Sequence, residues 1–172
     1  ADSTKLAVCH NRRIHSNKVF KGKAARGKTS TGWFYGLKLF LVINAFGEIM
    51  NAFLTMANVA DNHLVTMIKL FSKLKGWAFA DKGFINQKAV EELLSKGLHL
   101  ITGIRRNMKN KLVLMEQKIL LQKRGVIESV NDILKTVCDI EHTRHRSPIN
   151  ALVNLYAGLC SYTFLDRLPS IF

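Results

Sequence analysis

Acidic residues are scarce: 12 Asp and Glu stand against 26 Lys and Arg in 172 residues, leaving a formal net charge of +14. A surface so short of negative charge is drawn to polyanions, with nucleic acid ahead of membrane. Cysteine is sparse too. Cys9, Cys138 and Cys160 are odd in number, far apart and without a Cys-x-x-Cys pair, which argues against a zinc ribbon or a disulfide framework. Reduced thiols in the cytoplasm are the expectation. No signal-peptide pattern opens the chain. The longest apolar run, Ile149 to Leu165, includes Asn150 and Asn154 and falls short of the ~20 residues that a membrane span needs. It reads as a buried core helix. Internal repeats and low-complexity tracts are absent.

What is present is enough for a folded domain. Hydrophobic residues make up 48% of the chain and aromatics 9%, which excludes disorder as a description of the whole. At roughly 100–200 residues per domain, residues 1–172 form one unit.

Residues 1–32 are basic and broken by Gly22, Gly27 and Gly32. Trp33 to Asn44 and Glu48 to Thr55, joined by Ala45-Phe46-Gly47, have the composition of a β-hairpin. A helix is expected over Asn62 to Leu74, capped by Asp61. Trp77 to Ala80 reads as a short strand, Gln87 to Lys96 as a helix closed by Gly97, and Leu98 to Ile104 as a strand. Helices follow from about Arg124 to Cys138 and after Ser147-Pro148, where proline suits the first helical position. Antiparallel strands followed by βαβ units imply an α/β fold with a mixed sheet and helices on both faces.

Among so few acids, three draw attention. Asp81 ends an apolar strand, where open α/β sheets place their ligands, although a turn or capping role explains it equally well. On a helix at about 100° per residue, Arg124, Glu128 and Lys135 fall within about 40° of one another, apart from the apolar face formed by Val126, Val130, Ile133 and Val137. A solvated Arg–Glu stripe is the plainer account of that face. The third is Asp2, next to the first residue of the chain.

These residues carry a resemblance. Arg124-x3-Glu128-x6-Lys135 resembles the glutamate signature of DDE transposases encoded by bacterial insertion sequences. Asp81-Lys82-Gly83-Phe84-Ile85 resembles the second-aspartate motif of that family and Asp2-Ser3-Thr4 its first. Lys21 to Gly27, Gly32 to Lys38, Leu54 to Val59 and Glu141 to Ser147 are further similar stretches, so the likeness runs nearly end to end. The chain departs from the pattern at Leu121 (usually tyrosine), Phe40 (histidine), Met56 (proline) and Ala80 (glycine). The resemblance implies a ribonuclease-H-like catalytic domain, an N-terminally truncated copy without the usual DNA-binding region. It implies phosphodiester cleavage and strand transfer with two Mg²⁺ ions (or Mn²⁺) held by Asp2, Asp81 and Glu128. It also implies transposon ends and target DNA as partners, a homodimer in the DNA complex, no membrane, and a bacterial cytoplasm with nucleoid association.

Arg124 and Lys135, on the face of Glu128, are candidates for holding DNA phosphates. So are Lys21, Lys23 and Arg26 near the start, Arg105 and Arg106 in a second basic stretch, and Arg144 and Arg146 beside His142 and His145. Flanked by those arginines, the histidine pair reads as part of a DNA-facing basic segment and not as a zinc site. The rival function is a non-catalytic basic nucleic-acid-binding protein, including an inactive transposase relic, because either needs the same lysines and arginines.

Overall fold

A computed structural model describes residues 1–104 and 114–172. Its spine is the twelve-residue strand β3 (Gly32–Ile43), rich in the aromatic and branched side chains that suit a pleated, half-buried surface. Strand β1 (Asp2–Cys9) pairs antiparallel with it along Tyr35 to Leu41. On the other edge, β2 (Ala25–Thr29) and β4 (Ile49–Met56) follow one another, pairing with Gly32 to Gly36 and with Leu37 to Ile43. Gly36 is obligatory in this arrangement, because a Cβ there would lie 2.0 Å from the Leu6 carbonyl oxygen. The β3–β4 turn is built by Asn44, whose side-chain oxygen accepts from Phe46 N and Glu48 N at 3.0 Å each.

Strands β5 (Gly76–Ala80) and β6 (Leu98–Thr102) run parallel, connected by helix α2 (Gln87–Ser95) in a βαβ unit. The antiparallel and parallel strands hydrogen-bond as two sheets. They meet where the Ala1 amino group donates to the Phe79 carbonyl.

Alternation along β3 sends its side chains to two cores. Phe40 and Val42 pack with helix α1 (Leu64–Leu70), α2, β5 and β6, and with Phe84. Leu39 and Leu41 join Leu6 against helices α4 (Val126–Thr136) and α5 (Pro148–Thr163). Each fully buried side chain of this size contributes about 1.5–3 kcal/mol. Helices thus cover both faces, giving the expected α/β, ribonuclease-H-like arrangement.

Several local expectations are corrected. Asp61 does not cap α1; His63 does, its Nδ1 accepting from Thr66 N at 3.4 Å, and the helix is shorter than its sequence period suggests. Helix α3 (Met115–Lys123), which has no buried residue and therefore no apolar face to announce it, precedes α4. The basic start contains β2. The run from Ile149 is a helix with one buried face only: Leu155, Gly158 and Tyr162 face the core, while Ile149, Val153 and Tyr156 are exposed. Ser147 caps it, accepting from Asn150 N at 3.1 Å.

Candidate functional site

Asp2 begins β1 opposite Leu41, so its side chain faces α4. There the Asn131 side-chain amide donates to Asp2 Oδ2 at 3.1 Å. Asn131 is buried, and its own Oδ1 finds no partner among the described residues. Burial pushes the Asp2 carboxyl up from its ordinary value; the Ser3 backbone N–H, the Ala1 amino group and Arg124 work the other way, and the negative charge of Asp61 adds a smaller upward push.

Asp81 follows β5 and opens a single 3₁₀ turn over Lys82–Phe84, closed by Phe84 N donating to Asp81 O at 3.0 Å. Its side chain makes no capping bond. Instead it pairs with Arg124, Nη2 to Oδ1 at 3.4 Å. Arg124 lies between α3 and α4, where bonds from Ile127 N to Arg124 O and from Glu128 N to Gly125 O pass the chain from one helix to the next.

Glu128 stands in the first turn of α4, exposed, its side chain without a hydrogen bond or ion pair to another described residue. The residues around it on that face, Arg124 and Asn131, contact Asp81 and Asp2 respectively. The buried face of α4 centres on Ile127, Val130 and Leu134, rotated from the stripe its apolar residues suggest, and Val137 is 65% exposed. That rotation is what brings Asn131 down onto Asp2. Lys135, further along, gives its ammonium to Glu141 Oε2 at 3.1 Å, while Glu141 Oε1 accepts from Ala7 N at 2.9 Å. It braces α4 against β1.

Asn131 escapes a reading of the sequence, although it sits on the Arg124–Glu128–Lys135 face, seven residues after the arginine. Asp61, which the sequence offers as a helix cap, takes a different role. It pairs with Lys38 at 3.0 Å and accepts from Ser3 Oγ at 2.9 Å.

Lys21, Lys23 and Arg26 are exposed, with the Arg26 guanidinium 5.2 Å from the Trp33 ring centre. Arg144 and Arg146 are both exposed, in the segment between α4 and α5. Arg105 and Arg106 lie outside the described residues. His142 and His145 touch, ring centres 4.8 Å apart, and burial lowers the His145 pKa.

Among the described residues, no three of His, Cys, Asp and Glu are gathered closely enough to hold a metal ion. The donors nonetheless suit a hard cation. Asp2, Asp81 and Glu128 offer carboxylate oxygens, and Asn131 Oδ1 beside Asp2 is a neutral oxygen that accepts from no described residue. Arg124 and the Asn131 amide supply positive charge and a donor dipole to the two aspartates.

Comparison with known proteins adds one finding. Neither the curated proteins nor the solved structures yield a match. A family model described as transposase DDE domain, however, matches residues 1–148. With the match covering most of the chain, from Asp2 through Asp81 and Glu128, this protein belongs to the transposase DDE domain family.

Proposed function

We propose that residues 1–172 act as the catalytic domain of an insertion-sequence transposase, cleaving phosphodiester bonds at transposon ends and joining them to target DNA. The observation that supports this most is on α4. Flanking Glu128 on its own face, Arg124 contacts the aspartate after β5 and Asn131 the aspartate at the start of β1.

Asp2, Asp81 and Glu128 would hold the divalent cations, Mg²⁺ or Mn²⁺. Such a pair of ions supplies stabilisation of the attacking and leaving oxygens during in-line displacement. The protein's own groups do the rest. Asp2, whose charged form burial disfavours, would gain from a cation beside it. Arg124, once Asp81 is otherwise neutralised, presents a fork of donors that fits a phosphate. Lys21, Lys23, Arg26, Arg144 and Arg146 grip the DNA backbone and fix its register without reading sequence. Arg105 and Arg106 extend that grip in this reading, and Lys135 acts through Glu141 and β1 rather than on DNA. A second copy of the chain completes the DNA complex, in the bacterial cytoplasm at the nucleoid. Among the described residues no helix is long and apolar enough to cross a membrane.

A second reading, a basic DNA-binding relic without catalysis, is favoured by the dispersed carboxylates of this structure. Nicking of supercoiled plasmid separates the two. The transposase reading expects nicking that requires Mg²⁺ or Mn²⁺ and falls about 100-fold or more in Glu128→Gln, as loss of several kcal/mol of charge stabilisation demands. DNA binding without nicking in either cation would favour the relic.

A further inference from the structure

Among the described residues, the sheet that carries Asp2 and the one that ends at Asp81 share no strand ladder and meet at the Ala1–Phe79 bond. Asp61 is placed to add a side-chain tie between them. Its Oδ1 accepts from Ser3 Oγ at 2.9 Å and from Lys38 Nζ at 3.0 Å. Lys38 is largely buried and is anchored further by donating to Val59 O at 2.8 Å. The other oxygen of Asp61 faces the Asp81 turn so closely that a Cβ on Gly83 would lie 3.1 Å from it. The next residue strengthens the clasp. Asn62 donates to Ile85 O at 3.4 Å and receives a bond from Asn86 on its own carbonyl at 2.7 Å.

The faces are also informative. Asp2 lies opposite Leu41 and points to α4, whereas Ser3 lies opposite Phe40 and points to the α1–α2 side. Asp61 therefore works from behind the aspartates. Its charge is already committed to Lys38, which suits it for holding and not for ligating.

We propose that Asp61 is a positioning residue: by tying β1 at Ser3 and β3 at Lys38 to the turn at Gly83, it sets how Asp2 and Asp81 face one another and so how well they jointly bind a divalent cation. This rests on the cation-binding reading above. An ordinary core ion pair would matter only for stability, and that difference can be measured.

The experiment is a calorimetric Mn²⁺ titration of the folded chain, each variant checked by thermal melting. The double variant Lys38→Met, Asp61→Leu removes both charges, and exchanging a paired set for apolar groups of similar size is often neutral for stability. It should melt near the wild-type temperature yet bind Mn²⁺ at least about tenfold more weakly, the loss typical of residues that orient ligands. Gly83→Ala removes no contact and only presses on Asp61. It should weaken Mn²⁺ binding in the same direction, and it carries the test alone if the double variant does not fold. Wild-type Mn²⁺ affinity in either folded variant overturns the positioning role while leaving the cation site standing. Wild-type chain that fails to bind Mn²⁺ overturns the cation site itself, and the positioning role with it.

Discussion

Phe40→Ala should lower the unfolding free energy by about 3–5 kcal/mol, the range for truncating a buried aromatic ring, and the melting temperature by roughly 10 °C or more. Phe40 is 0% exposed and meets Phe84 edge to face, ring centres 6.0 Å apart at 89°. Phe84 closes the turn that begins at Asp81. The same ring that anchors β3 therefore seats the candidate catalytic turn, and a cavity there would loosen Asp81 from Arg124 as well as destabilise the core. Differential scanning calorimetry reads the effect. A loss below about 1 kcal/mol would mean that the two sheets are not joined through this contact.

Asp2→Asn should do the opposite. In the absence of divalent cations it should raise the melting temperature by a few degrees at neutral pH, while abolishing any stabilisation by Mn²⁺. The sign follows from burial, the first cause of the raised Asp2 pKa. Below the ordinary carboxylate pKa of 3.8, Asp2 is protonated both folded and unfolded, and wild type and variant should melt alike. As pH rises past that value and through the raised folded-state pKa, the wild type must ionise a buried group and loses stability that the neutral amide retains. Melting curves from acid to slightly alkaline pH in chelator check this. A functional group that weakens its own fold is the usual signature of a site kept for binding and not for packing. An Asp2→Asn variant that melts below wild type at neutral pH would contradict the buried-charge account.

Much of this arrangement was legible in the residues. The β3–β4 hairpin declared itself through its aromatic and branched run and the turn at Gly47, and the βαβ unit through its alternation of short apolar runs with a Gly-closed helix. The separation of the Arg124–Glu128–Lys135 face from the apolar residues of α4 was visible at helical period. What escaped is tertiary in origin. Asp61 looks like a helix cap because it sits just before an apolar-periodic segment, and only the folded chain reveals Lys38 and Ser3 converging on it from two other strands. Asn131 looks like one more polar helix position until the rotation of α4 buries it on Asp2. Helix α3 has no apolar periodicity to read, and β2 is short, basic and held by its partner β3. The two-sheet organisation could not be read at all, since strand pairing between distant segments leaves no local trace. The motif resemblance reached the family that the domain match establishes, but the dispersal of the three carboxylates was beyond it.

The central claim is that Asp2, Asp81 and Glu128 act together on a divalent cation. Its most direct test is the melting temperature of wild type and Glu128→Gln across a Mn²⁺ titration, because a ligand that prefers the native state raises its stability with concentration. Glu128 is exposed and its side chain has no partner among the described residues, so the substitution itself should leave the fold and the DNA affinity unchanged. The account predicts a saturable rise in wild type and little or none in Glu128→Gln. Equal shifts in both chains, or none in wild type, would contradict it.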